Sequence, residues 1–175
     1  MPDINGIPYV ESDDLVSAYP SVSQSLAQEV SDQLAAKGDI STNGAWEAWT
    51  PTTTGITVGN GTITARYMQI GKTVHFSYIF VLGSTSALVS DHSITLPVAR
   101  RNTDSVGQAN ILLREIGVNN YLGVPLYSPA DASVLLIRPA TSAASYVGNG
   151  FLSGTIPFTW ADGDEIICSG SYEAA

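Results

Sequence analysis

The chain has 175 residues, a formal net charge of −9 and only 13% charged residues. That length suits one moderate domain plus an extension and is enough to bury a real core. The acidity excludes a surface for nucleic acid, which needs clustered Lys and Arg, and no apolar run reaches the roughly 18 residues that would insert in a membrane.

Residues 1–19 read as an extended arm. Pro2, Gly6 and Pro8 and the acidic Glu11, Asp13 and Asp14 interrupt any periodicity, while Ile7, Tyr9, Val10, Leu15 and Val16 are apolar anchors within it. A frayed tail would fit, but so many apolar residues favour an arm that orders against a partner. The start of the chain lacks the basic-then-apolar layout of a secretory signal.

Residues 20–38 predict one helix with its stop signal, the helix running from about Ser21 to Ala36. Pro20 biases Tyr19 away from the α region. Ser21-x-x-Gln24 has the form of a capping box, and Lys37-Gly38 makes a C-terminal stop. Val22, Leu26, Val30 and Leu34 line one side, and Leu15 and Tyr19 extend the line backwards. Their spacing is nearer an eleven-residue repeat than strict heptads, which suits a nearly straight or slightly right-handed bundle. So short a helix is marginal alone in water, so the stripe must pack on the β-domain or on copies of itself. These six residues are the expected oligomerisation set, although the stripe does not specify how many chains associate.

Residues 39–48 form a polar linker containing Asn43-Gly44, near whose end Trp46 and Trp49 arrive together. They suit either a stacking platform for a sugar or a plug closing the β-domain. Indole is chiefly a large apolar load, which favours the plug.

Residues 49–175 all read as β. Asn60-Gly61, between Ile56-x-Val58 and Thr62, is a hairpin signal. Asn60-x-Thr62 also matches a glycosylation acceptor, set aside because nothing indicates secretion. The next stretch, Thr62 to Leu82, reads as two strands joined at Gly71-Lys72, a loop suited to a type II′ turn. That turn sets Ile70 opposite Thr73, Gln69 opposite Val74, Tyr67 opposite Phe76, Ala65 opposite Tyr78 and Ile63 opposite Phe80. One face then carries Ile63, Ala65, Tyr67 and the apolar set to Phe80; the other carries Thr62, Thr64, Arg66, His75 and Ser77. A one-residue slip would scramble this sorting. Ile79 and Val81 fall on the polar face, so a cover is expected there, a neighbouring subunit being one candidate.

A Ser-rich loop at residues 83–90 and a strand from His92 to Leu96 follow. Then comes a loop with Arg100, Arg101, Asn102 and Asp104. Further strands are expected near residues 106–113, 119–124, 133–137, 151–159 and 165–172. Short, even spacing with turn residues between predicts an antiparallel β-sandwich, jelly-roll-like or Greek-key. Cys168, alone in the chain and beside Ile166 and Ile167, reads as a small buried hydrophobe. A chain that matures in a reducing cytoplasm would look like this.

The search for reactive constellations returns little. His75 and His92 read as surface residues, since neither has a second His or Cys at ligand spacing. There is no Gly-x-Ser-x-Gly elbow, no phosphate loop or dinucleotide fingerprint, and no carboxyl pair in a suggestive apolar setting. Asp162-Gly163-Asp164 reads as a tight turn rather than a calcium corner, because the EF-hand spacing is missing. The expectation is a chain without catalysis, metal or cofactor. Loops around Asn102, Asn119, Asn120, Tyr121 and Tyr146 pair aromatic faces with amide donors and acceptors, which suits a carbohydrate.

Two blocks resemble fibre-like minor tail proteins and head fibres of tailed bacteriophages. The first is Trp49-Thr50-Pro51, then Gly59-Asn60-Gly61-Thr62, Ala65-Arg66-Tyr67 and Ile70-Gly71-Lys72-Thr73-Val74, continuing to Ile94-Thr95-Leu96-Pro97. The second is Thr159-Trp160-Ala161 with Gly163-Asp164, ending at Gly170-Ser171-Tyr172-Glu173. Ile7-Pro8-Tyr9 and Asp13-Asp14-Leu15-Val16, leading into a short helix, are similar to the start of such proteins. The resemblance implies a homotrimer with a helical stalk, an N-terminal arm attached to other virion proteins, and β-domains facing outward from the tail or capsid of a particle assembled in the host cytoplasm. Residues 97–158 match no motif of the family, so receptor specificity would sit there. Three functions follow: a tail fibre contacting a bacterial surface glycan, a head fibre or decoration without a receptor, and a depolymerase. The last would need many repeats, and none is visible.

Overall fold

The computed structural model describes residues 3–4, 7–8, 19–36, 44–101, 108–143 and 146–175. They belong to two compact units, 1–43 and 44–175. The first unit contains β1 (Asp3–Ile4) and β2 (Ile7–Pro8), paired antiparallel, and the helix α1 (Tyr19–Ala36).

Helix α1 begins two residues before the predicted start. Pro20 is well suited to a first turn, where its missing N–H goes unused and its φ is already helical. Ser21 therefore lies inside the helix and not at its cap, and its carbonyl oxygen accepts a hydrogen bond from Ser25 Oγ at 3.0 Å. Side-chain bonds at i, i+4 join Gln28 to Asp32 and Gln33 to Glu29. The first turn has no acidic residue and the last no basic one, so the macrodipole goes uncompensated. Along the predicted stripe, Leu26 is half-buried, while Val30 and Leu34 are 42% and 54% exposed. Tyr19 and Val22 lie on the helix with side chains outside the described set; Leu15 lies outside the described residues altogether.

The second unit is mainly β, antiparallel and sandwich-like, and its layers come from one sheet curled on itself. Its strands are β3 (Glu47–Ala48), β4 (Thr53–Thr57), β5 (Thr62–Ile70), β6 (Thr73–Val81), β7 (Ala87–Thr95), β8 (Gln108–Glu115), β9 (Asn119–Tyr127), β10 (Val134–Ala143), β11 (Tyr146–Asn149) and β12 (Glu165–Glu173). The order is β3-β5-β6-β12-β8-β9-β10-β7-β4, with β11 beside β10. Residues 44–48, expected as linker, already belong to this unit, because β3 pairs with Tyr67 and Arg66 of β5.

The hairpin β5–β6 has the predicted register, from Ile70↔Thr73 to Thr62↔Val81. Gly71 has φ 58°, as the first position of a primed turn requires. Ala65, Val74, Phe76, Tyr78 and Phe80 are buried, while Thr62, Thr64 and Arg66 face solvent. The other hairpin signal, Asn60-Gly61, makes a turn but no hairpin. Residues 58–61 do turn, with Gly61 N bonded to the Val58 carbonyl oxygen, but β4 pairs with β7 and β5 with β6. Asn60 is used through its side chain: Oδ1 accepts from Thr85 N and Oγ1, and Nδ2 donates to Ser84 Oγ. The turn thus bridges the two sides of the curled sheet.

Ile94, Ile111, Leu113, Leu135, Ile137, Ile166 and Cys168 complete the core. Burial pushes the Cys168 thiol up to about 12, consistent with an inert hydrophobe. His92, expected at the surface, is fully buried. Strand β7 begins earlier than predicted, at Ala87, and alternation turns His92 inward with Leu88 and Ile94. A carbonyl can only accept, so Nδ1–H donates to Thr54 O at 2.9 Å, and Nε2 accepts from Tyr78 O–H at 3.1 Å. Burial lowers the imidazole to about 4, with the Thr54 bond opposing, so it is neutral near pH 7.

The expected strand at 151–159 is not formed. Pro157 and Gly154 break its ladder, and only a bridge between Ser153 and Ile156 remains. Residues 150–164 instead close one end of the curled sheet: Leu152 and Phe158 are buried, and Leu152 N bonds to Asp91 Oδ1. Strand β11, just before this segment, was not foreseen.

Candidate functional site

Strands β5, β6, β12, β8 and β9 carry one cross-strand row, Thr62↔Val81↔Glu165↔Arg114↔Asn120. The β8–β9 tip therefore lies at the end of the sheet where β5 begins. The chain enters at the other end of β5, where a Cβ on Gly44 would lie 2.9 Å from Ile70 and β3 pairs with Tyr67. Nine strand residues at about 3.4 Å each separate entry from tip by roughly 30 Å.

Ile116, Gly117 and Val118 form a three-residue loop between β8 and β9, with Val118 N bonded to the Glu115 carbonyl oxygen. Beside it lies a cleft of about 300 Å³ lined by Glu115, Gly117, Val118, Asn119 and Asn120. Asn119 Oδ1 accepts from Asn120 N at 2.9 Å, which fixes that amide. Val118 and Ile116 are 72% and 49% exposed at the tip. Two of the five predicted ligand residues, Asn119 and Asn120, are thus brought together.

Tyr121, two residues on, shares a face with Asn119 and meets its side chain through the hydroxyl. Its ring is covered: it stacks on Phe158 at 5.0 Å and 29°, with Trp160 a further 4.2 Å from Phe158. Its hydroxyl donates to Glu115 Oε2 at 3.1 Å; burial of the phenol and that carboxylate together raise its pKa. Tyr121 is a support behind the cleft and not a free platform. Tyr146 pairs with Ala143 through its backbone, its side chain lying outside the described set, and Asn102 lies outside the described residues. Glu115 and the Tyr121–Phe158–Trp160 ladder were missed. Their signal, an acid six residues before a tyrosine, becomes visible only once the three-residue loop is known.

The two early tryptophans separate. Trp49 packs edge-on to Phe76 at 6.2 Å and is the expected plug. Trp46 is not: it stays 45% exposed, with the Arg66 guanidinium 4.7 Å over its ring. His75 is half-buried on the outer face opposite Met68. Asp162-Gly163-Asp164 is a turn, with Gly163 at φ 88°. Buried Asp164 accepts Ile116 N on Oδ1 at 2.9 Å and Ala161 N on Oδ2 at 2.7 Å. Its oxygens are committed to the backbone, which anchors the β8–β9 loop to the segment before β12. Among the described residues no cluster of three metal-ligating side chains occurs, and no helix is long and apolar enough to cross a membrane.

No family model, no curated protein and no solved structure matches the chain.

Proposed function

We propose that the chain is a non-enzymatic structural protein of a bacteriophage particle, a fibre-like tail component that associates through its helix and presents the far end of its β-unit to a glycan on the bacterial surface. The observation that carries this reading is the polarity of the β-unit. The chain enters beside Ile70, and the cleft of Asn119 and Asn120 lies at the opposite end, roughly 30 Å away. Attachment at one end and recognition at the other is the layout a fibre tip needs. The motif resemblance supplies the particle, and the exposed Val30 and Leu34 of α1 support association with further copies as a homotrimer.

Phage particles labelled with an antibody to this chain test the address. Label at the tail is expected. Label spread over the capsid would replace this reading with that of a head fibre or decoration, and no label on any particle would remove the virion role. Adsorption to host cells tests recognition: Asn119→Ala with Asn120→Ala should weaken it, and unchanged adsorption would take the cleft out of the account.

A further inference from the structure

Away from the β8–β9 cleft, the outer face of β7, β10 and β11 holds an aromatic ring in an unusual setting. Phe151 is 67% exposed, although burying a phenylalanine is worth about 1.5–3 kcal/mol. The Arg138 guanidinium lies 4.4 Å over the ring centroid and covers one face. That guanidinium is held in place from two strands: Nε and Nη2 reach Asp91 Oδ2 at 2.9 and 2.7 Å, and Nη1 donates to Asn149 Oδ1 at 3.1 Å.

Both backbone neighbours of the ring are held as well. Gly150 N donates to the Pro139 carbonyl oxygen, and Leu152 N to the other oxygen of Asp91. The Leu152 side chain is buried. Phe151 is therefore fixed from behind and on either side, with its remaining face in solvent. An aromatic surface held open this way binds without a further ordering cost.

The hydrogen-bonding capacity beside the ring points to the ligand. The Asn149 amide accepts through Oδ1, which leaves its NH2 without a partner among the described residues. The unused group is a donor, suited to an acceptor-rich ligand. Charge narrows the class: Asp91 offsets Arg138 locally, and the chain carries −9 overall, so an acidic ligand gains nothing here. A flat C–H face to lie on the ring, hydroxyl oxygens to accept the donors, and no charge describe a neutral sugar.

We infer that Phe151 and Asn149 form a subsite for a neutral hexose, the sugar stacking on the open face of the ring and its hydroxyls accepting from the Asn149 amide at the ring's edge, while Arg138 holds the ring from its other face. This deepens the glycan part of the proposed function and rests on it, but adds a surface distinct from the cleft of Asn119 and Asn120.

The test uses the full ¹⁵N-labelled chain titrated with glucose, galactose and N-acetylglucosamine, and with glucuronate as the acidic counterpart. The expected result is that at least one neutral sugar shifts the Asn149 side-chain amide and the Phe151 and Leu152 backbone amides, with glucuronate weaker. Phe151→Ala should weaken that binding about tenfold, and Asn149→Ala a few-fold. Both side chains are exposed, so either variant should retain the wild-type spectrum elsewhere. Ile70→Ala, 48% exposed beside the β5–β6 turn and away from both surfaces, is the control and should bind as the wild type. Sugar binding that survives Phe151→Ala unchanged overturns this subsite and leaves the glycan reading standing. Shifts confined to Asn119 and Asn120 do the same and favour the cleft. A wild type that binds none of the three neutral sugars overturns both.

Discussion

The two ends of the β-unit close the same core with opposite chemistry. At the end where the β5–β6 turn lies, backbone carbonyls face inward and a cation answers them. Arg100 is almost wholly buried, with Nη2 donating to Ser128 O at 2.8 Å, Nε to Ala132 O at 3.3 Å, and its guanidinium 4.7 Å over Tyr127. At the other end, backbone N–H groups of the loops are left over and a buried carboxylate answers them: Asp164 takes Ile116 and Ala161. Which charge a curled sheet buries at its rim follows from which backbone groups the loops leave unpaired, since a buried polar group without a partner costs roughly 1–3 kcal/mol. The carboxylate end is also the one that carries the candidate site, so its loops are held by bonds that a single substitution can release.

The largest effect should come from the cation end. Arg100→Leu takes the guanidinium from the Ser128 carbonyl and leaves a gap against Tyr127, while Ala132 O keeps its bond from the residue-100 backbone N–H. The substitution should cost on the order of 3–5 kcal/mol in denaturant unfolding. A loss under about 1 kcal/mol would mean that the guanidinium only fills space.

Between the ends sits His92, and pH should separate it from both. Its folded value of about 4 is below the ordinary 6.5, so the unfolded chain takes up a proton first as pH falls. Stability should be full above 6.5 and decline from there to about 4, by up to roughly 3 kcal/mol. His92→Leu should flatten that stretch of the curve even though it lowers stability overall; an unchanged slope would assign the pH dependence to other groups.

Smaller again is Asp164→Ala, expected to cost about 2 kcal/mol. The sharper readout is local: the Ile116 and Ala161 amides should exchange faster with solvent while those of β6 and β12 do not. Uniform loss of protection would show that the two ends do not open separately. Least of all, Gly163→Ala places a Cβ at φ 88° and should cost about 1 kcal/mol, again confined to the carboxylate end.

How far the sequence could be read depended on how local each determinant was. The β5–β6 hairpin was legible because a two-residue turn and strict alternation fix it without reference to the rest of the chain. The Asn60-Gly61 signal misled because what it specifies is a turn, and only the distant pairing of β4 with β7 decides that no hairpin follows. His92 was misplaced since its partners, Thr54 and Tyr78, come from other strands. Trp46 and Trp49 are three residues apart and face different surroundings because β3 lies between them. Of the candidate site, Asn119 and Asn120 were legible as paired amides at a strand start. The inward turn of Tyr121 needed Phe158, which reaches it from a segment that the sequence presents as a strand.

The central claim is that the helix joins copies of the chain while the β-unit carries recognition at its far end. Light scattering on the purified chain at micromolar concentration tests it most directly, with Leu26→Asp as its partner measurement. The account predicts a mass about three times 18.4 kDa for the wild type. For the variant, a charge in an apolar seam has no partner, so the mass should fall while the β-unit keeps its fold by circular dichroism. A wild type that scatters as a monomer of 18.4 kDa would contradict it.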